Sequence, residues 1–259
     1  MEYTTLGQTG LRVSRLAIGT GTHGWGYKSD QTALGLDGLT NLLCEAYEQG
    51  VNFWDTADQY GSHAHVARAL ERVPRDRVVI ATKTNSQSGA RVADDVARFC
   101  RELGTDVLDI VLLHGVSSGD WPRRYADAMD ALSRAKEAGM VRAVGISCHG
   151  LEALRVAATT SWLDVVLARI NYGGVNMDGS VAEVVPALRA LYDAGKGIYA
   201  MKVLGCGRLT HDPRAAIRYV FELGTVHSAS IGMISSAQLA ENVRLTNGIA
   251  PLFPPSSNT

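Results

Sequence analysis

A (β/α)8 barrel closed at the bottom by an N-terminal β-hairpin is the fold this sequence predicts, on three observations. Short Val/Ile/Leu-rich runs alternate strictly with longer Ala/Leu/Arg/Glu segments of three-to-four spacing, eight times along the chain. The former suit parallel strands buried on both faces, and the latter suit amphipathic helices. The length of 259 residues fits one such barrel as a single domain, with no linker or low-complexity stretch to divide it.

Taken in order, EYTTLGQTGLRVS within residues 1–14 reads as the hairpin, with Gly7 and Gly10 about its turn. Strands are expected at 15–20, 51–55, 78–83, 108–114, 141–147, 165–171, 197–204 and 229–233. Helices fit 38–49, 62–72, 91–103, 123–138, 151–160, 181–194, 213–223 and 236–247. Gly50, Gly104, Gly139 and Gly195 each follow an apolar-periodic helix and precede a strand, as a left-handed C-cap does. Asp212 and Pro213 suit the N-cap and first turn of the seventh helix. The short tail, 249–259, is rich in Pro and Ser.

Composition excludes several classes. A net charge of −1 with no basic run argues against a nucleic-acid or anionic-membrane partner. No segment approaches a membrane span, and the opening MEYTTLGQTG does not read as a signal sequence, so a cytoplasmic protein is expected. Cys44, Cys100, Cys148 and Cys206 are widely spaced without a C-x-x-C pair, which suits reduced thiols and no structural metal.

The chemistry is carried by Asp55, Tyr60, Lys83 and His114, in VNFWDTADQYG, VVIATKT and DIVLLHG, each just beyond a strand-like run. Side chains leaving successive barrel strands converge on one mouth. There an ammonium beside a phenol lowers its pKa, a carboxylate keeps the ammonium charged, and an imidazole orients the oxygen to be protonated. Such a set donates a proton to a carbonyl oxygen as hydride reaches its carbon, with the hydride drawn from a cofactor.

DTADQYG, ATKT and LLHG, in that order and spacing, resemble the aldo-keto reductase superfamily, as do LGQTGLRVSRLAIGT and QLAEN. The resemblance covers essentially the whole chain. It implies an NAD(P)H-dependent oxidoreductase acting on small carbonyl compounds, with Tyr60 as general acid/base, Asp55 and Lys83 tuning it, and His114 orienting the substrate. It further implies cofactor contacts at Ser147, Arg169, Asn171 and Tyr172, the last stacking on the nicotinamide. Gly205, Gly207 and Arg208 would hold the pyrophosphate, with Ser235, Ser236, Gln238, Glu241 and Asn242 about the adenosine.

NADPH is the family default, but the usual Lys or Arg near the 2′-position is replaced here by Ser235, Ser236 and Gln238, which leaves NADH open. Cys148 stands where the family has Asn. The loops after the fourth and seventh strands are short, so the pocket is open or completed by another subunit; the oligomeric state is not fixed. Residues 21–36, with His23, Trp25 and Tyr27, are the expected substrate wall, together with Trp121.

Blander readings stand beside these. His63 and His65, at a helix start, suit solvent-facing polar positions rather than a metal site, and His149 has the same status. Trp54 should face the helix layer. Two other classes share the fold: a non-redox barrel lyase or isomerase, and a nucleotide-sensing regulatory subunit.

Overall fold

Buried strands and amphipathic helices sort into concentric layers in the computed structural model, which describes residues 1–249. The chain opens with an antiparallel hairpin, β1 (Tyr3–Thr5) and β2 (Arg12–Ser14). Eight parallel strands follow and close on themselves: β3 (Leu16–Gly19), β4 (Phe53–Asp55), β5 (Val79–Thr84), β6 (Leu108–Val116), β7 (Val141–Cys148), β8 (Val165–Arg169), β9 (Gly197–Met201) and β10 (Ser228–Gly232). Nine helices surround them: α1 (Gly35–Glu48), α2 (His63–Leu70), α3 (Gly89–Leu103), α4 (Trp121–Arg124), α5 (Ala126–Glu137), α6 (Leu151–Thr159), α7 (Val181–Asp193), α8 (Pro213–Glu222) and α9 (Ser236–Asn247) among the described residues.

Strand alternation divides the core in two. Phe53, Val79, Ala81, Ile110, Leu112, Val165, Leu167 and Tyr199 fill the barrel. Trp54, Ile80, Val111 and Val144 face the helices, as the period of two requires. Each fully buried large side chain of this kind contributes roughly 1.5–3 kcal/mol relative to exposure. The hairpin supplies Leu6, Leu11 and Val13 to the inner cluster, so it forms the barrel floor. Gly7 makes this seal possible: its φ is +54°, and a Cβ there would lie 2.3 Å from the Gly197 amide nitrogen.

The expected punctuation is present. Gly104 (φ +64°) ends α3 with its amide donating to the Arg101 carbonyl and the next amide, of Thr105, to the Cys100 carbonyl, and Asp212 Oδ1 accepts from the Ala215 amide at 2.9 Å to start α8. Three expectations need correction. The helix expected at 123–138 is two pieces, because Pro122 fits a first helical turn that begins at Trp121. The strand expected at 197–204 stops at Met201, since Lys202 turns left-handed at φ +61°. The strand expected at 165–171 ends at Arg169, and the chain leaves it as a loop.

Residues 250–259 of the tail lie outside the described residues. Among the described residues no helix is long and apolar enough to cross a membrane, and all four cysteines are free.

Candidate active site

Three adjacent strands and one tight turn bring the four chemically expected side chains together. Asp55 closes β4 and Lys83 lies in β5, both pointing inward; His114 stands near the end of β6. A single 3-10 turn, Asp58–Tyr60, closed by Gly61 at φ +67°, folds the Tyr60 phenol back over the mouth. The Tyr60 hydroxyl is 3.4 Å from His114 Nε2, with the rings edge to face at 5.6 Å. Lys83 Nζ lies 5.0 Å from the Tyr60 ring centre, so the ammonium sits under the phenol.

Lys83 is wholly buried and donates to Asp55 Oδ1 and to the Thr56 carbonyl, both at 2.7 Å. Asp55 receives two further donors, Tyr199 Oη at 2.9 Å and Ser230 Oγ at 3.3 Å. A carboxylate held by three donors from β5, β9 and β10 fixes the ammonium in place, as a buried ion pair must be fixed to persist. Tyr199 and Ser230 are supporting residues that sequence reasoning missed. Tyr199 sits at an inward position of β9, but nothing in a lone GIYAM run distinguishes a core phenol from a polar brace.

The ring of Tyr60 is confined from above by backbone. A Cβ on Gly21 would lie 2.2 Å from Tyr60 Cε2, and one on Gly24 would lie 2.5 Å from Cδ1. These two glycines let the loop after β3 lie against the phenol. Gly21→Ala is therefore expected to push the ring aside and to lower kcat by up to about 100-fold, since a displacement of about 1 Å has that effect in positioned sites. Steady-state kinetics on the folded variant check this, with circular dichroism showing that the barrel is intact.

Electrostatics correct one expectation. Burial, then the Asp55 carboxylate, raises the Tyr60 phenol well above its ordinary value rather than lowering it. Desolvation of the phenolate outweighs the pull of Lys83, whose charge Asp55 offsets. Burial also lowers Lys83, with Asp55 opposing. His114 is pushed down to about 2 by burial and the charges of Lys83 and His149, so it is a neutral imidazole. The site thus pairs a neutral acid with a neutral hydrogen-bonding ring.

A cleft of about 370 Å³ runs from Tyr60 and Asp55 across the mouth to α9. Gly207, Gln238, Glu241 and Asn242, all expected at the cofactor, line it, as does His23. The first turns of α8 and α9 open on it through Pro213 and Gln238. Arg169 and Arg208 border a second cavity instead. Ser147 is buried at the end of β7, with its hydroxyl 3.4 Å from His149 Nε2.

Other expected contacts fall elsewhere. The Asn171 amide is consumed within its own loop, donating to the Val175 and Lys202 carbonyls and accepting from the Val175 amide. Tyr172 turns to α8, with its ring 6.3 Å from that of Tyr219 and its hydroxyl 3.4 Å from His211, so it does not line the cleft. Met201, at the end of β9, lines the cleft instead. Gly205 is a buried turn residue against Leu209 and Val175. Ser235 caps α9 by accepting from the Gln238 amide, and Ser236 donates to Glu45.

The substrate wall also changes. Trp25 and Tyr27 are 76% and 66% exposed beside the mouth and border neither cavity. Trp121 is 0% exposed, donates to the Ala153 carbonyl and packs at 6.2 Å on Trp162, which places it in the helix layer. His63 is buried rather than solvent-facing, bridging Glu102 at 2.6 Å and Thr82 at 2.9 Å. No group of three or more His, Cys, Asp or Glu among the described residues is arranged to hold a metal ion.

Residues 15–222 match the family model described as the aldo/keto reductase family. The chain belongs to this family. Similar proteins include L-galactose dehydrogenase of Arabidopsis thaliana, 26% identical with 94% of this chain and 87% of that protein covered. The NADH-specific methylglyoxal reductase of Escherichia coli is 26% identical, with 65% of this chain and 59% of that protein covered. Among solved structures, the holo form of an aldo-keto reductase from Bacillus halodurans superposes with a TM-score of 0.78 at 21% identity, covering 98% of this chain and 93% of that one. The fold of this aldo/keto reductase is therefore the barrel of its family.

Proposed function

We propose that this family member reduces an aldehyde or ketone to an alcohol with a nicotinamide dinucleotide, Tyr60 supplying the proton. The observation that carries this reading is a neutral phenol, 3.4 Å from a neutral imidazole, above a buried Lys83–Asp55 pair at the head of a long cleft. The cleft fits the cofactor in its donor chemistry: two helix N-termini and the Gly207 turn suit phosphates, and Glu241 and Asn242 suit an adenine edge. When bound, the reduced nicotinamide supplies the hydride.

The chain's own groups do the rest. Tyr60 holds the proton at Oη and aims it at the mouth. His114 Nε2, neutral and next to that hydroxyl, orients the same oxygen. Lys83, pinned by Asp55, places positive charge under the ring as negative charge passes to the phenol, a pre-set stabilisation that costs no reorganisation.

Cofactor preference follows from the adenosine end of the cleft. Its lining there is Pro213, Ile234, Gln238, Glu241 and Asn242, with no Lys or Arg and one carboxylate. A 2′-phosphate would find no charge-assisted partner among these residues. NADH is therefore expected to bind at least as tightly as NADPH, although NADPH is the default that the family resemblance gives. Titration of intrinsic fluorescence with each nucleotide, followed by carbonyl-dependent oxidation of the tighter one, tests the reading. Binding of neither nucleotide at millimolar concentration sinks it.

A further inference from the structure

We propose that Asp58 and Arg98 are positioning residues for the proton donor, an ion-pair clamp from α3 that sets where Tyr60 sits over Lys83. It rests on the reductase reading, in which Tyr60 gives the proton.

Tyr60 is carried by one short turn. In the 3-10 turn Asp58–Tyr60 the Tyr60 amide donates to the Ala57 carbonyl at 3.1 Å and the Gly61 amide to the Asp58 carbonyl at 3.2 Å. Hydrogen bonds in 3-10 geometry are poorer than those of an α-helix, so so short a turn takes its position from outside partners. The hydroxyl bond of Tyr60 to His114 is long, at 3.4 Å. Gln59 has neutral ties, from the Tyr27 amide at 2.8 Å and the Asn85 side chain at 3.2 Å.

Arg98 provides the charged tie. Its Nη1 donates to Asp58 Oδ1 at 2.8 Å and its Nη2 to Asp58 Oδ2 at 2.9 Å, a paired fork that fixes both distance and direction. The guanidinium is itself immobilised on α3. Asp95 and Glu102, one turn to either side, accept from it at 2.8 and 2.9 Å, and its carbon lies 4.8 Å from the Phe99 ring centre. Burial holds His63 below its ordinary value, so Arg98 is the cation that these three carboxylates share. Single exposed pairs add little to stability. Here one end of the pair is the turn that carries the proton donor.

The register of the partners connects the clamp to the chemistry. Asp58 stands two residues before Tyr60 and His63 three residues after it. Thr82 and Thr84 flank Lys83 in β5, and strand alternation turns them towards α3 while Lys83 faces inward. Glu102 meets His63 at 2.6 Å, His63 reaches Thr82 at 2.9 Å, and Asp95 accepts from Thr84. One face of α3 thus grips the chain on both sides of Tyr60 and on both sides of Lys83. The quantity this frame fixes is the 5.0 Å between Lys83 Nζ and the Tyr60 ring centre.

Enzyme preloaded with the tighter-binding reduced nucleotide is mixed with methylglyoxal, glyceraldehyde or 4-nitrobenzaldehyde, and nicotinamide absorbance is followed through a single turnover. Asp58→Ala leaves Arg98 its other two carboxylates, so the face of α3 stays assembled. It is expected to slow oxidation by about 10- to 100-fold with nucleotide Kd within about twofold, as a small displacement of a reacting group does. Arg98→Gln should do the same, and the double variant should be no slower than the slower single, because the two residues act as one pair. Asp58→Asn, which keeps one acceptor, should fall between. In the Tyr60→Phe background Asp58→Ala should slow the residual rate no further, since the clamp acts through the missing hydroxyl. With tyrosine isotope-labelled at Cζ for NMR, the signal that Tyr60→Phe removes should shift or broaden in Asp58→Ala.

An unmoved Tyr60 signal, or a rate within about twofold of wild type, overturns the clamp and leaves the reductase reading intact. So does an equal slowing in the Tyr60→Phe background, which would assign the loss to the fold at large. A wild type that binds nucleotide but oxidises it with none of these carbonyls removes the reductase reading, and the donor role that the clamp serves goes with it, wherever the Tyr60 signal lies.

Discussion

Tyr60→Phe is expected to lower kcat for carbonyl reduction by about 10²–10⁴-fold, the usual weight of a positioned general acid, while leaving nucleotide affinity within about twofold. The substitution removes one oxygen and keeps the ring that lies between the Gly21–Gly24 loop and the Lys83 ammonium. Without Oη the developing alkoxide takes its proton from water, and His114 loses the partner at 3.4 Å that aligns it. The pH profile of the wild type supplies a second readout. Tyr60 is raised above its ordinary value and so stays protonated through neutral pH, while His114 and His149 sit near 2 and 4 and stay neutral. Reduction should therefore run flat from about pH 5 to pH 8, with no limb near the ordinary histidine pKa of about 6.5. The reverse oxidation needs a phenolate to accept the proton and should rise with pH over the same range.

Lys83→Met is expected to destabilise the protein by about 3–5 kcal/mol, because it removes a wholly buried cation and leaves the buried Asp55 carboxylate without its charge partner. Asp55 would keep only the neutral donors Tyr199 and Ser230. For a chain of this size the loss corresponds to roughly 10 °C in Tm, read by differential scanning calorimetry. Adding Asp55→Asn should recover much of it, since the amide oxygen still accepts from Tyr199 and no charge remains buried. A double variant as unstable as Lys83→Met alone would contradict this account of the pair. Neither variant should recover activity, because the charge under Tyr60 is absent from both.

The barrel was legible in the sequence because its signals are local and repeated eight times. Buried parallel strands read as unbroken apolar runs, and caps such as Gly104 and Asp212 mark helix ends within one residue. Asp55, Lys83 and His114 were legible for a related reason: a polar residue at the end of an apolar strand has nowhere to go but the mouth. What escaped was set by loops and by contacts distant in sequence.

Trp121 looked like a pocket aromatic until packing against Trp162 and Ala153 placed it in the helix layer. Asn171 looked free, yet its amide is spent bracing its own loop. Tyr199 reaches Asp55 across 144 residues of sequence, a pairing that no local pattern announces. The sense of the Tyr60 shift also escaped, because burial of the phenol is a property of the closed-over loop and not of the DTADQYG segment.

The most direct test of the central claim is a single-turnover experiment. Wild type and Tyr60→Phe, each preloaded with the tighter-binding reduced nucleotide to equal occupancy, are mixed rapidly with methylglyoxal, and loss of nicotinamide absorbance is followed. Oxidation at least about 100-fold slower in the variant at equal occupancy is the predicted result. Equal rates in the two proteins would show that the proton comes from elsewhere, and Tyr60 would lose its place at the centre of the mechanism.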